Sequence, residues 1–344
     1  MKVVVSVDTE ADDQWSHGAP LRTDNVRHWQ PFQALCERHG APVTFLVTSE
    51  IASDPEAGRL LSSWVERHSV EIGAHLHPWT TPPFVDAPGL RHNDPVHAFA
   101  GRLSDELLRA KLETLTEQVG NVTGRAPTSF RAGRFGTSSR LAKHLIELGY
   151  VVDSSVTPYL SWERGISGRG DDLESGPNFR CYDAHPFQVF ASGSPGLIEI
   201  PLTVLPTVGL LRRCPRLLER YAARPVGALR RAERALRGAP PRWVRPQPVW
   251  VRPFPEYDLA TLETVMRAAE REGLMHAVLM LHSSELMPGG SPYRRTAHDV
   301  ADLLDLLDGF FARLGGAGHT FLTLTEAGRE LASAPGLRSL PLPA

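Results

Sequence analysis

The chain has 344 residues, 42% of them hydrophobic and 22% charged, with a formal net charge of −2. That composition is ordinary for a globular protein, and so small a net charge sets up no field that would recruit a nucleic acid. No stretch approaches the roughly eighteen uninterrupted apolar residues of a membrane span, so none is expected.

In chain order, Met1, Lys2 and Val3 to Val5 lead within a few residues to Asp8, too soon for the apolar core of a signal peptide. Cys36, Cys181 and Cys214 are far apart and lack CxxC spacing, so no disulfide framework or thiolate zinc site is indicated and a cytoplasmic setting is expected. Short β-branched runs bounded by turn residues predict strands over Val3–Asp8, Val43–Val47, Val70–His75, Ser129–Gly133, Val151–Ser155, Leu197–Leu202, Ala277–His282 and Phe321–Leu324. Helical stretches lie between them, the pattern of crossovers in a parallel sheet. Ser104 is placed as the N-cap of a helix whose stripe is Leu107, Leu108, Lys111, Leu112, Leu115 and Val119, and Leu262–Glu272 and Val300–Leu314 read as further helices. The fold class is therefore α/β, an irregular (β/α) barrel of seven to eight strands, a type that uses about 250 or more residues as one unit. One barrel is expected over residues 1–332, with residues 333–344 as a loosely ordered tail. The stretch 210–255 breaks the rhythm, Arg-rich at Arg230, Arg231, Arg234 and Arg237 and then Pro-rich, and is read as an insertion.

In such barrels the working side chains sit where strands end, and five strand ends carry suitable residues. Asp8 and Glu10 are alternate residues at the end of the first strand and can share a face, although Glu10, Asp12 and Asp13 can equally begin a polar loop. His75 and His77 repeat that spacing two strands later, which suits a pair of ligands to zinc or another divalent ion. Arg131 ends the next strand in a glycine-containing turn with Gly133, Arg134, Phe135 and Gly136, where an arginine can hold a carboxylate or steady an oxyanion. Asp153 interrupts an apolar run and must be paired or solvated, as a polar catalytic pocket would allow. His282 closes the run Ala277–Leu281 ahead of a glycine-rich loop, placed to protonate a leaving amine. Trp79, Phe84, Phe135, Trp162 and Tyr293 are candidates to stack on a sugar, and Arg134 joins Trp79, Phe135 and Tyr293 as a substrate-binding residue.

Taken in this order the five segments resemble the NodB homology region of polysaccharide deacetylases, carbohydrate esterase family 4 and its relatives, in the intracellular branch with an Asp-x-Glu first motif. The resemblance runs from Val3 to about Glu326. It implies that Asp8 is the general base, Glu10 a metal ligand and Arg131 the residue that holds the base. The family spaces its two histidine ligands four residues apart. Here that position is Trp79, which leaves His77 as the second ligand beside His75. The family's Arg-Pro-Pro-Tyr-Gly is matched by Arg131–Gly136 with one extra residue, and its final Leu-x-His by Leu279 or Leu281 leading to His282. The implied protein is a hydrolase that removes an N-acyl, usually acetyl, group from a sugar or glycoconjugate with one divalent ion, zinc being the ion that two histidines and a carboxylate suit. A metal-dependent amidase of a non-sugar substrate, a glycoside hydrolase and a silent glycan-binding relative are the competing readings.

Overall fold

The structure, a computed structural model, describes residues 1–15, 21–66, 70–84, 99–163, 176–189, 196–206 and 248–343. Its centre is a curled, mostly parallel sheet. Strand β1 (Lys2–Thr9) pairs along its length with β10 (His276–His282), and on its other side with β2 (Val43–Val47) and, below β2, with β11 (Thr320–Leu322). The sheet continues through β3 (Val70–Leu76), β4 (Ser129–Ala132), β5 (Val152–Asp153) and β7 (Ile198–Glu199), all parallel. It ends with β6 (Phe187–Val189), antiparallel to β7, and β12 (Ser339–Leu340). A separate ribbon joins β8 (Val204–Pro206) to β9 (Pro248–Trp250). This ribbon bridges the open side of the barrel, because Val251 donates to the Thr203 carbonyl and accepts from Met280 N of β10.

Strands buried on both faces need apolar residues throughout, which is why β1 and β10 read as nearly continuous hydrophobic runs. Val3, Val5 and Val7 face the surrounding helices, while Val4 joins Leu46, Val152, Ile198, Ile200, Val278 and Met280 inside the barrel. The outer layer includes α1 (Trp29–Arg38), the short α2 (Ser49–Ala52), α3 (Pro55–Val65), α4 (Asp105–Thr123), α5 (Ser139–Glu147), α6 (Leu259–Arg271) and α7 (Ala297–Gly316). Ser104 caps α4 by accepting from Leu107 N, and its stripe is buried except for half-buried Leu107. A further helix, α8 (Leu324–Ala332), closes the barrel floor with Leu324, Ala327 and Leu331. Apolar side chains thus dominate the lower barrel, where Thr44 and Glu71 accept from Leu324 N and Thr325 N of α8. Among the described residues no helix is long and apolar enough to cross a membrane.

Two differences from the sequence reading bear on the site. The segment after Ala332 is ordered: β12 extends the sheet, Arg338 pairs with Asp183, and Leu342 is buried. Of the expected insertion at 210–255, residues 248–255 are described and belong to the barrel wall; Arg230, Arg231, Arg234 and Arg237 lie outside the described residues.

Gly73 lets β3 approach β4 two residues before His75: a Cβ there would fall 2.2 Å from Ser129 Oγ and 2.7 Å from Leu46 Cδ2. Gly58, inside α3, has open space around it. Denaturant titration should therefore show Gly73→Ala destabilised by about 1–3 kcal/mol through overpacking. In the same assay Gly58→Ala should gain about 0.5–1 kcal/mol.

Candidate metal centre and active site

The mouth is assembled from the carboxyl-terminal ends of β1, β3, β4 and β10. Asp8 lies in register with His282, and His75 with Arg131. The chain leaving β1 is held in place by its backbone: Glu10 N donates to Ser283 Oγ at 3.1 Å, and Asn25 Nδ2 donates to the Glu10 carbonyl at 3.0 Å. Glu10 is thereby turned inward. Asp12 instead accepts from Asn25 N and Asp24 N, and so serves the loop turn.

Glu10, His75 and His77, all buried, each offer one ligand atom within 4.8 Å of the others. His77 Nε2 stands 3.3 Å from Glu10 Oε2. Neighbouring ligands around a tetrahedral zinc are separated by about 3.3–3.5 Å, given bonds of about 2.0–2.1 Å, so a small contraction of the cluster would complete a site. His75 Nδ1 lies 2.9 Å from the Arg131 carbonyl. A carbonyl only accepts, so Nδ1 carries the proton and Nε2 is left with its lone pair. Burial holds His75 and His77 at about 4, far below the usual imidazole range, which keeps both neutral and able to ligate. The Glu10 carboxyl is raised by burial.

The approach of β4 to His77 depends on Gly133, where a Cβ would lie 2.6 Å from both His77 Cδ2 and the Leu76 carbonyl. The next two residues, Arg134 and Phe135, take left-handed φ of 52° and 58°, unusual for residues with side chains. The turn brings the Arg134 guanidinium over Trp79, 4.3 Å from the ring centroid.

Arg131 is fully buried, and its guanidinium is spent entirely on the mouth. Nη1 donates to Asp8 Oδ1, Nη2 to Ser6 Oγ and Ser154 Oγ, and Nε to the Ser154 carbonyl at 2.7 Å. Burial alone would raise the Asp8 carboxyl, but Arg131, aided by His75 and His282, more than offsets it and holds Asp8 at about 2. Across the mouth, Glu285 Oε1 accepts from Arg252 Nη2 at 2.8 Å, and the two together flank His282 Nδ1, the guanidinium at 2.9 Å and the carboxylate at 3.1 Å. Burial would raise Glu285 too, yet Arg252 and His282 bring it to about 2. With Nδ1 directed at the Arg252 and Glu285 pair, His282 Nε2 faces inward, 4.0 Å from Glu10 Oε1.

Asp153 is a correction. Val152 packs inside the barrel and Ser154 binds Arg131, so by strand alternation the carboxylate between them faces the helical layer. There it accepts from Thr137 Oγ1 at 2.9 Å and from Ser155 Oγ, and neighbours the buried Glu199. It does not join the Asp8, Glu10, His75, His77 and His282 group. The aromatic expectations also shift. Trp79 is only 6% exposed, stacked on the His77 ring at 4.3 Å, and so walls the cluster instead of offering an open face to a sugar. Phe135 stacks on Trp162 at 5.3 Å. Tyr293 flanks Arg252 and meets Trp15 edge-on at 5.5 Å, while Phe84 stands 62% exposed.

Four contributors were not assigned from the sequence. Glu285 follows His282 by three residues, the spacing of a side chain that reaches back to the strand end. Arg252 lay hidden in the presumed insertion. Trp15 meets the His282 ring edge-on at 5.0 Å, and a tryptophan in a polar loop was the available signal. Glu50 lies in α2, three residues past the end of β2, and faces His77; the strand-end rule extended to β2 would have pointed to it.

No family model and no curated protein matches the sequence. Among solved structures, a Mycobacterium smegmatis protein assigned to the polysaccharide deacetylases matches at 15% identity over 100% of this chain and 95% of its own, with a TM-score of 0.53. The chain has the same fold, a NodB-like (β/α) barrel. A 4-α-glucanotransferase from Thermococcus litoralis matches at 13% identity and a TM-score of 0.51, over 99% of this chain and 42% of that one. The NodB-type fold is thus shared with a protein named for a different reaction, and only the residues at the mouth can discriminate between chemistries.

The position of Asp153 in this NodB-type fold has a measurable consequence. Burial raises its carboxyl from an ordinary 3.8 to about 6, so the folded chain keeps a proton that the unfolded chain gives up. The wild type therefore loses stability as pH rises from about 4 to about 6, whereas Asp153→Asn has no such proton to lose. Thermal unfolding at a series of pH values should show the variant gaining on the parent across that window, with activity retained.

Proposed function

We propose that the chain is a metal-dependent deacylase that hydrolyses the N-acyl group, acetyl foremost, of an N-acylated sugar or glycoconjugate. The observation that carries this reading is the convergence of Glu10, His75 and His77 on one point, beside an arginine-held carboxylate and across from a carboxylate-held histidine. Glu10 Oε2, His75 Nε2 and His77 Nε2 would hold the ion. A bound divalent ion, zinc suiting this donor set, would polarise the acyl carbonyl and acidify water beside it, which lets so weak a base as Asp8 take the proton.

The protein's own groups divide the remaining work. Asp8 keeps Oδ2 for that proton while Arg131 occupies Oδ1 and fixes the carboxylate plane. As water adds to the acyl carbon and the carbon–nitrogen bond breaks, His282 delivers the proton from Nε2 to the departing nitrogen, its ring oriented by the Glu285 and Arg252 pair at Nδ1. The products are a free amine and a small carboxylate. Trp15, Trp79 and Tyr293 exclude water around these groups, so their charges act in a medium of low polarity. The sugar portion of the reading draws on the name of the mycobacterial protein that shares the fold.

A glycoside hydrolase needs one carboxylic acid free to protonate a leaving oxygen and a second carboxylate as nucleophile or base. Here Asp8 is clamped by Arg131, and Glu10 is drawn into the histidine pair, so the arrangement favours amide hydrolysis.

Acetate release from a panel of N-acetylated sugars and non-sugar amides tests the substrate class, with turnover of the sugars expected. Asp8→Asn should keep the metal and lower turnover by about two orders of magnitude or more. The double variant His75→Ala/His77→Ala should lose the metal itself, as measured by elemental analysis.

A further inference from the structure

Glu50 stands at the mouth in α2, immediately after β2, and has no part in the chemistry just described. Its side chain is 10% exposed. Among the described residues both carboxylate oxygens are buried without a hydrogen-bond partner, and so is Nδ1 of His77. Among the described residues His77 is the one basic side chain within ion-pairing reach of Glu50, Nδ1 to Oε1 being 3.9 Å. A carboxylate removed from water and left unpaired is strongly unfavourable, so a compensating positive charge is called for.

We infer that Glu50 is the positioning residue of the metal centre, accepting the Nδ1 proton of His77 and so fixing Nε2 as the metal-binding nitrogen. The inference rests on the proposed metal site and deepens it. The imidazole has two edges: Nε2 looks toward Glu10 at 3.3 Å, and Nδ1 looks away from it toward Glu50. Glu50 therefore reaches the ion through the ring and is not itself a ligand. A closer approach of about 1 Å between the two would turn the 3.9 Å ion-pair contact into a hydrogen bond.

The two histidines then have different supports. His75 leans on a neutral backbone carbonyl, that of Arg131, and His77 on a carboxylate. A carboxylate behind a ligating imidazole fixes its tautomer and raises its basicity. It also supplies charge: the three ligands carry one negative charge, from Glu10, against the two positive charges of a divalent ion, and Asp8 and Glu285 are already matched by Arg131 and Arg252. Glu50 adds a second negative charge one ring away. The stacked Trp79 prevents the His77 ring from swinging out of this line.

The test is cobalt(II) titration of the full chain, stripped by chelator, comparing wild type with Glu50→Gln by visible absorption and by thermal unfolding. Affinity should fall by about 10–100-fold in the variant, the usual effect of losing such a partner. The d–d bands at saturation should keep their shape, because the ligand set is unchanged. Without metal, the variant should unfold at the same temperature as wild type or higher, because it has lost an unpaired buried charge. A general structural role would instead lower both metal affinity and metal-free stability, and that result would overturn the inference. So would unchanged affinity, or a changed band envelope, which would make Glu50 a ligand. If wild type binds no cobalt, the metal reading of the whole site fails with it. Should Glu50→Gln not fold, Glu50→Asp, which keeps the charge but withdraws it from Nδ1, should show an intermediate loss of affinity, and equal affinity would count against the inference.

Discussion

The buried guanidinium of Arg131 holds the mouth of the barrel together. Its side chain joins β4 to Asp8 and Ser6 of β1 and to Ser154 beyond β5, and its backbone carbonyl selects the protonated nitrogen of His75. One residue therefore sets the ionisation of one acid and the tautomer of one ligand. Removing a single partner from such a buried pair leaves an uncompensated charge and costs about 3–5 kcal/mol, so the mouth is all-or-none in character. The apolar floor, closed by α8, keeps water from reaching this network from below.

The second organising feature is symmetry of support across the site. Arg131 holds Asp8 on one wall, and Arg252 with Glu285 holds His282 on the other. In both cases a buried carboxylate is kept ionised by an arginine against the cost of its own burial. Between them lie two neutral imidazoles and Glu10, a donor set that could hold a divalent ion. The fold itself is neutral on this point, since the same architecture underlies a glucanotransferase.

Much of this was legible from sequence because strand ends announce themselves. A run of Val and Leu that stops on Asp8, His75 or His282 places that residue at a mouth, and two-residue spacing places Glu10 and His77 beside their neighbours. Helices α4, α6 and α7 were equally plain from their apolar stripes, with the Ser104 cap read directly. The caps Asp258 and Thr296 begin the other two a few residues earlier than the stripes at Leu262 and Val300. Asp153 misled for a physical reason: both faces of a parallel strand are buried, so sequence cannot say which parity looks inward. Arg252 was obscured by the proline-rich run before it, and β12 by prolines on either side of its short pairing with β6. Glu50 and Trp15 carried weak local signals, a position just past a strand and an aromatic in a polar loop, and their roles come from neighbours distant in sequence.

The account stands or falls on one shared cation. Anomalous diffraction from crystals grown with zinc, recorded on both sides of its absorption edge, examines this directly. A single peak about 2.0–2.2 Å from a Glu10 oxygen and from Nε2 of both His75 and His77 is predicted. Zinc bound elsewhere, or no peak at this mouth under saturating zinc, would contradict it.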